Sequence, residues 1–306
     1  MKTIVNGRRV ALLVGNWKMA LPKVLPNKSS FKDASELANN IALGLPKGVS
    51  RDGIVRVGVA PSSLEFGNVH YAFIRPKSDE MLVAVGGQSF YADRKDGEFV
   101  LNGAFTGEDS LLQLLNAGAH FSILGHSETR ASTGPDYGVE GLGLTDEMLN
   151  TRLLAALSVV MKESDFEDFF MIFCVGETLK ARQNKQTKEV LDAQLSIGLK
   201  DVPARAFEKG NVVIAYEPVW AIGTGETASA EEANASALFI RSLISAEFGS
   251  KAAERLIIQY GGSAKPENTP ELMSQPDIDG LLIGGAALKA DSFLQMITLT
   301  QGLGKY

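Results

Sequence analysis

The segment Tyr216-Glu217-Pro218-Val219-Trp220-Ala221-Ile222-Gly223-Thr224-Gly225 places one carboxylate directly after the apolar run 211–215. Pro218 fixes its own φ and biases Glu217 towards an extended backbone. Trp220 offers a large apolar group for docking, while Gly223 and Gly225 free the far end of the segment to swing. A carboxylate beneath a loop that can close is an arrangement for moving a proton while water is kept out. Groups of similar chemical reach recur elsewhere: Asn16 and Lys18 in Asn16-Trp17-Lys18-Met19, His126 and Glu128 in Gly125-His126-Ser127-Glu128, and Glu177 in Cys174-Val175-Gly176-Glu177. The glycine-rich Gly261-Gly262-Ser263 and Gly284-Gly285-Ala286 complete the set.

Taken one at a time, these residues have plainer roles. A lone histidine is more often structural than reactive, a lysine is usually a surface charge, and a glycine pair is an ordinary turn. Cys174, closing an apolar run, reads as a small buried residue. Glu128 and Glu177 read as orienting or ion-pairing groups rather than as proton carriers. The case for chemistry depends on whether the fold brings the set together.

The elements that must do so alternate from end to end. Apolar and β-branched runs at 10–15, 55–60, 82–85, 121–124, 169–175, 212–216, 256–260 and 280–283 predict eight strands. Amphipathic segments at 33–43, 109–117, 145–161, 179–199, 231–248 and 266–273 predict helices between them. Helix-sized connections imply parallel pairing, and runs without clean alternation fit strands covered on both faces. Eight such units match a single α/β domain of the TIM (β/α)8 barrel type, about 250 residues plus insertions. An open doubly wound sheet is compatible with the same alternation. The extra length falls at 20–30, 93–102 and 131–144, turn-rich stretches that read as loop insertions. No low-complexity tract or linker divides the chain, so residues 1–306 read as one domain.

On a barrel, the singled-out residues all sit at C-terminal strand ends and converge on one mouth. Gly261-Gly262-Ser263, and Gly284-Gly285 ahead of the helix-like stretch 288–297, offer N–H groups and a helix N-terminus to a phosphate dianion. Barrels frequently bind phosphate with the loops after strands seven and eight. Gly223 supplies a further N–H when its loop closes. The mouth then holds a phosphate anchor, a carboxylate base, a histidine and a lysine.

Bulk properties agree. The chain has 306 residues, 45% of them hydrophobic, which is enough for a sizeable core. With 22% charged residues and a net charge of −6, nothing suggests a nucleic-acid or membrane surface. A negative chain still binds a phosphorylated small molecule where N–H groups and one or two cations are local. The single cysteine excludes an internal disulfide and fits a reducing compartment, so a cytoplasmic location is expected. No apolar run approaches the ~20 residues that span a bilayer, and the N-terminus lacks the small-residue cleavage site of a signal peptide.

Asn16-Trp17-Lys18-Met19, Gly125-His126-Ser127-Glu128, the 216–225 segment, Tyr260-Gly261-Gly262-Ser263 and Leu282-Ile283-Gly284-Gly285-Ala286 together resemble the triosephosphate isomerase family, in order and over the whole chain. Gly103-Ala104-Phe105-Thr106-Gly107-Glu108 is similar to that family's third loop, which reaches into the partner of a homodimer. The resemblance implies that Glu217 moves a proton between C1 and C2 of a triose phosphate, with neutral His126 as the electrophile. It implies that Lys18 stabilises negative charge, that Asn16 holds a substrate oxygen and that Glu128 orients Lys18. Gly223, Ser263, Gly284 and Gly285 would hold the phosphate, and closure of 218–225 would protect the enediolate from losing it. By the same resemblance no metal or organic cofactor is needed, the pathways are glycolysis and gluconeogenesis, and Thr106 of one subunit lies near the neighbour's Asn16 and Lys18.

Some positions depart from the family pattern. Thr129 stands where arginine is usual, although Arg130 is kept; Glu226 stands where lysine is common; and Ser89 follows Gln88 where asparagine or aspartate is more usual. The enlarged loops keep two other readings open: an isomerase of a larger ketose phosphate such as a tetrulose phosphate, and a catalytically retired barrel with a binding role. A retired site has no physical reason to keep Asn16, Lys18, His126 and Glu217 together.

Overall fold

Eight runs dominated by Val, Ile, Leu and Phe form eight parallel strands that close on themselves. They are β1 (Ala11–Asn16), β2 (Val55–Ala60), β3 (Val83–Gly87), β4 (Phe121–Leu124), β5 (Phe170–Val175), β6 (Val212–Tyr216), β7 (Ile258–Tyr260) and β8 (Gly280–Ile283). In the computed structural model, which describes residues 3–18, 30–50, 53–74, 82–130, 143–222 and 227–305, each strand pairs with the next. The ring closes where β8 meets β1, from Gly280 opposite Leu12 to Ile283 opposite Gly15. That closure excludes the open doubly wound sheet.

The absence of alternation along the strands now has its physical reason. Leu12, Val14, Phe121, Ile123, Phe170, Ile172, Val213, Ala215 and Leu282 fill the barrel interior. Their neighbours Leu13, Val57, Val59, Val83, Val85, Met171, Phe173 and Ile214 face the surrounding helices. Both faces of most strands are therefore apolar, with buried Arg56, Ser122 and Gln259 among the polar exceptions. Phe121 and Phe170 stack across the interior with ring centroids 5.3 Å apart.

Most helices fall where periodicity places them, including Ser30–Gly44, Asp146–Val160 and Ala230–Phe248. The expected helix over 179–199 is two helices, Leu179–Gln183 and Thr187–Gly198, because Lys185 between them takes φ 60°. A left-handed residue breaks the i→i−4 ladder. Short helices at Phe66–Phe73, Ala204–Glu208 and Ser250–Arg255 had no expectation attached to them.

Of the three insertions, residues 20–29 lie outside the described residues, and Ser30 already opens a helix. The 93–102 stretch is not aperiodic. It contains an antiparallel hairpin, Asp93–Lys95 with Glu98–Val100, turned at Asp96-Gly97 with φ of 51° and 87°. Two positive φ values at Asp-Gly are the hallmark of a type I′ turn. Residues 131–142 are likewise outside the described residues, and Leu144 beyond them bridges to Arg130. No helix among the described residues is long and apolar enough to cross a membrane.

The N-terminal end of the barrel is tied by charge. Buried Asp279 accepts from Arg9 Nε and Arg241 Nη2, both at 2.6 Å, and from the Ile258 N–H at 3.1 Å. Arg241 also donates to Asp277 at 2.8 Å, and Lys305 donates to the carbonyls of Met273, Gln275 and Ile278. One network thus joins both terminal segments to the strands that close the ring.

Candidate active site

Glu217 follows β6 directly and is 2% exposed. Its N–H donates to the Val175 carbonyl at 2.7 Å, which draws β5 and β6 together at their ends. A Cβ on Gly176 would lie 1.7 Å from the Glu217 carbonyl oxygen, and one on Gly261 would lie 2.8 Å from Glu217 Cγ. Glycine at these two positions is what lets the carboxylate sink between the strands.

The carboxylate is engaged asymmetrically. Oε2 accepts from the Ser127 N–H at 2.9 Å. Oε1 lies 3.0 Å from His126 Nε2 but has no donor aligned with it. Burial works against ionisation of Glu217. The imidazole of His126, the Ser127 N–H and the charge of Lys18 outweigh it and hold the carboxyl below its ordinary range. On the other side of the ring, the Glu128 N–H donates to His126 Nδ1 at 3.2 Å. With Nδ1 an acceptor, a neutral ring carries its proton on Nε2, on the side of Glu217.

Lys18 and Asn16 come from the end of β1. Lys18 takes φ 51°, an uncommon conformation for a residue with a Cβ that costs about 1–2 kcal/mol. Three hydrogen bonds surround it: its N–H donates to Asn16 Oδ1 at 3.1 Å, and the Gln88 amide donates to the Lys18 carbonyl at 2.8 Å and to that of Ala60 at 3.0 Å. Lys18 Nζ is 2.5 Å from Glu128 Oε1, and a Cβ on Gly284 would lie 3.7 Å from Lys18 Cε. The ammonium therefore stands beside the glycine turn after β8.

A cavity of about 650 Å³ opens at this mouth. Asn16, Lys18, His126, Glu128, Ser263, Gly284 and Gly285 line it, so seven of the expected site residues surround one cavity at the mouth. Glu217 stands behind that lining, held by His126 and Ser127. Gly223 lies outside the described residues, as does Glu226. One expectation needs correction. The helix after Gly284-Gly285 does not start near 288; a 3-10 turn, Gly285–Leu288, precedes the helix Ala290–Gln301. The turn whose leading residues line the cavity is therefore 3-10, and its first N–H groups lack partners within the turn. Ser263 donates its hydroxyl proton to the Ala221 carbonyl at 2.7 Å, which joins the turn after β7 to the segment after Glu217.

Two contributors carried no signal of their own in the sequence. Ser127 acts through its backbone, and Gln88 is an unremarked amide at the end of β3. Glu177, fully buried, accepts from Tyr216 Oη and from Trp220 Nε1 at 2.9 Å; burial raises its pKa, against those hydrogen bonds and the Arg182 charge. Cys174 is buried, and its thiol is pushed well up, first by burial and then by Glu217, so it is inert at neutral pH. Thr129 turns its hydroxyl to the His126 carbonyl at 2.8 Å, and Ser89 accepts from Arg152 at 3.1 Å. Among the described residues, no group of three or more His, Cys, Asp or Glu could hold a metal ion.

Fold and cavity together define a class of enzyme, a (β/α)8 barrel able to move a proton at the C-terminal mouth of its strands. The chain belongs to the triosephosphate isomerase family, whose model matches residues 11–300. It is similar to the triosephosphate isomerase of Rhodopirellula baltica, at 39% identity over 291 residues that cover 95% of this chain and 97% of that protein. The Clostridium tetani protein of the same name is 38% identical over 293 residues, covering 96% and 98%. That of Chloroherpeton thalassium is 44% identical over 220 residues, covering 72% and 77%.

Proposed function

We propose that this chain interconverts dihydroxyacetone phosphate and D-glyceraldehyde 3-phosphate, with all 306 residues serving one barrel domain. The observation that carries the reading is the buried Glu217 carboxylate with Oε1 lacking an aligned donor, beside a His126 whose Nδ1 is an acceptor. Glu217 removes a proton from the carbon next to the carbonyl. The electrons of that C–H bond form the enediolate, and the proton returns to the neighbouring carbon. A carbon acid is weak, so the step needs donors where the oxyanion develops. His126 Nε2–H, Lys18 Nζ and the Asn16 amide supply them, and each such donor is worth roughly 3–4 kcal/mol. Glu128 orients Lys18. Gly284, Gly285, Ser263 and, on closure of its loop, Gly223 hold the phosphate. No electrons leave the substrate, so the chemistry calls for no redox cofactor.

Steady-state turnover of glyceraldehyde 3-phosphate against erythrulose phosphates tests the reading. Preference for the triose supports it, preference for the tetrulose assigns the larger ketose, and no turnover on either removes both enzyme readings. We also propose a homodimer formed through the 103–108 loop. Phe105 in that loop is 39% exposed and Leu64, after the adjacent β2, is 81% exposed, an apolar pair on one rim that association would cover. Light scattering decides between dimer and monomer. The lone buried Cys174 is compatible with the reducing cytoplasm as the site of action.

A further inference from the structure

Arg182 reaches three elements at once from the helix Leu179–Gln183. Its Cζ lies 4.2 Å over the ring of Trp220, its Nη2 is 2.6 Å from Glu232 Oε1, and its Nη1 is 3.9 Å from Glu177 Oε1. Trp220 belongs to the turn Val219–Ala221 that follows Glu217, and Val219, Trp220 and Ile222 line the cavity. Glu232 sits in the first turn of Ala230–Phe248, where its Oε2 accepts from the Ser229 N–H in a capping box. The two oxygens of Glu232 thus divide their work, one capping the helix and the other meeting Arg182. Arg182 does not itself line the cavity, so it acts through these neighbours.

We propose that Arg182 is a positioning residue that fastens the cavity wall formed by Val219, Trp220 and Ile222 to the head of helix Ala230–Phe248. It thereby sets the course of the backbone leading away from Glu217. The inference rests on the isomerase reading of this site. A planar guanidinium can stack on an indole with its face while its edge meets a carboxylate. A lysine ammonium cannot do both. With the wall loosened, only a fraction of free molecules present the binding arrangement, and apparent affinity falls by that fraction.

Arg182→Leu is expected to raise KM about fivefold, with kcat changed less than twofold, and to shift the emission of Trp220. The other tryptophan, Trp17, is buried at the end of β1 and makes the same contribution in both proteins. Arg182→Lys should recover only part of the loss. Glu232→Gln keeps the capping box, since glutamine serves at that position, yet removes the charge facing Arg182; about a twofold rise in KM and a smaller emission change are expected. Unchanged KM and emission in Arg182→Leu, or full recovery in Arg182→Lys, overturns the proposal. Should Arg182→Leu fail to fold, Glu232→Gln decides by the same two readouts. The emission readout needs no turnover, so a failure of the isomerase reading shows separately, as an inactive parent protein.

Discussion

Two buried carboxylates at opposite ends of the barrel, Asp279 and Glu217, are treated in opposite ways. At the N-terminal end, Asp279 meets Arg9, Arg241 and a backbone N–H, with both oxygens engaged. At the C-terminal mouth, Glu217 is as deeply buried, but only one oxygen has an aligned donor and the other faces an imidazole without a proper hydrogen bond. A saturated carboxylate fixes the fold. A half-saturated one keeps bonding capacity for something that is not part of the chain. The left-handed Lys18 is at the mouth and is held there by Asn16 and Gln88.

Removing each of these two carboxylates in turn is the hardest test of that contrast. Glu217→Gln is expected to lower kcat by about 10³ or more while moving Tm by no more than a few degrees. A variant that kept its turnover, or that lost activity only by unfolding, would break the comparison. Asp279→Ala should do the reverse. It takes from Arg9 and Arg241 the carboxylate they share, leaving Arg241 with the Asp277 carboxylate, at a cost of about 3 kcal/mol in thermal or denaturant unfolding, with kcat per folded molecule within twofold of the parent.

The smallest effect concerns His70, also at the N-terminal end, beside Gly118 and stacked against His120 with centroids 6.1 Å apart. Burial holds its imidazole below the ordinary value of 6.5, with the hydrogen bond at Gly118 acting the other way. The unfolded chain then takes up this proton at higher pH than the native chain. Stability from this group is complete above the ordinary histidine range and falls as pH drops through the native value. His70→Gln should flatten that acid-side decline in Tm between pH 8 and 5.5 without altering kcat. An unchanged slope assigns the decline to other groups.

Sequence patterning located all eight strands, and at β2, β4, β6 and β8 even their ends, because short apolar, β-branched runs between helix-sized connections mark strands buried on both faces. What escaped it were features set by single backbone angles or by short length. Lys185 splits a helix whose periodicity is continuous, and the turn-rich composition of 93–102 hides the hairpin at 93–100 although Asp96-Gly97 announces a type I′ turn. At the site, residue types at strand ends pointed to His126, Lys18 and Glu217. The Ser127 N–H, the Gln88 amide and Arg182 stayed out of view, since their effect depends on which atom they face across the fold.

The pairing of β8 with β1 also orders events in time. Leu12 pairs with Gly280, which lies far along the chain, so this contact waits until β8 has left the ribosome. Until then β1 has one unpaired edge, and it is the strand that carries Asn16 and Lys18. Contacts between segments so distant in sequence form late and slowly. The first strand of the barrel is therefore among the last to be locked in place, and the cationic side of the cavity matures only once β8 has been made.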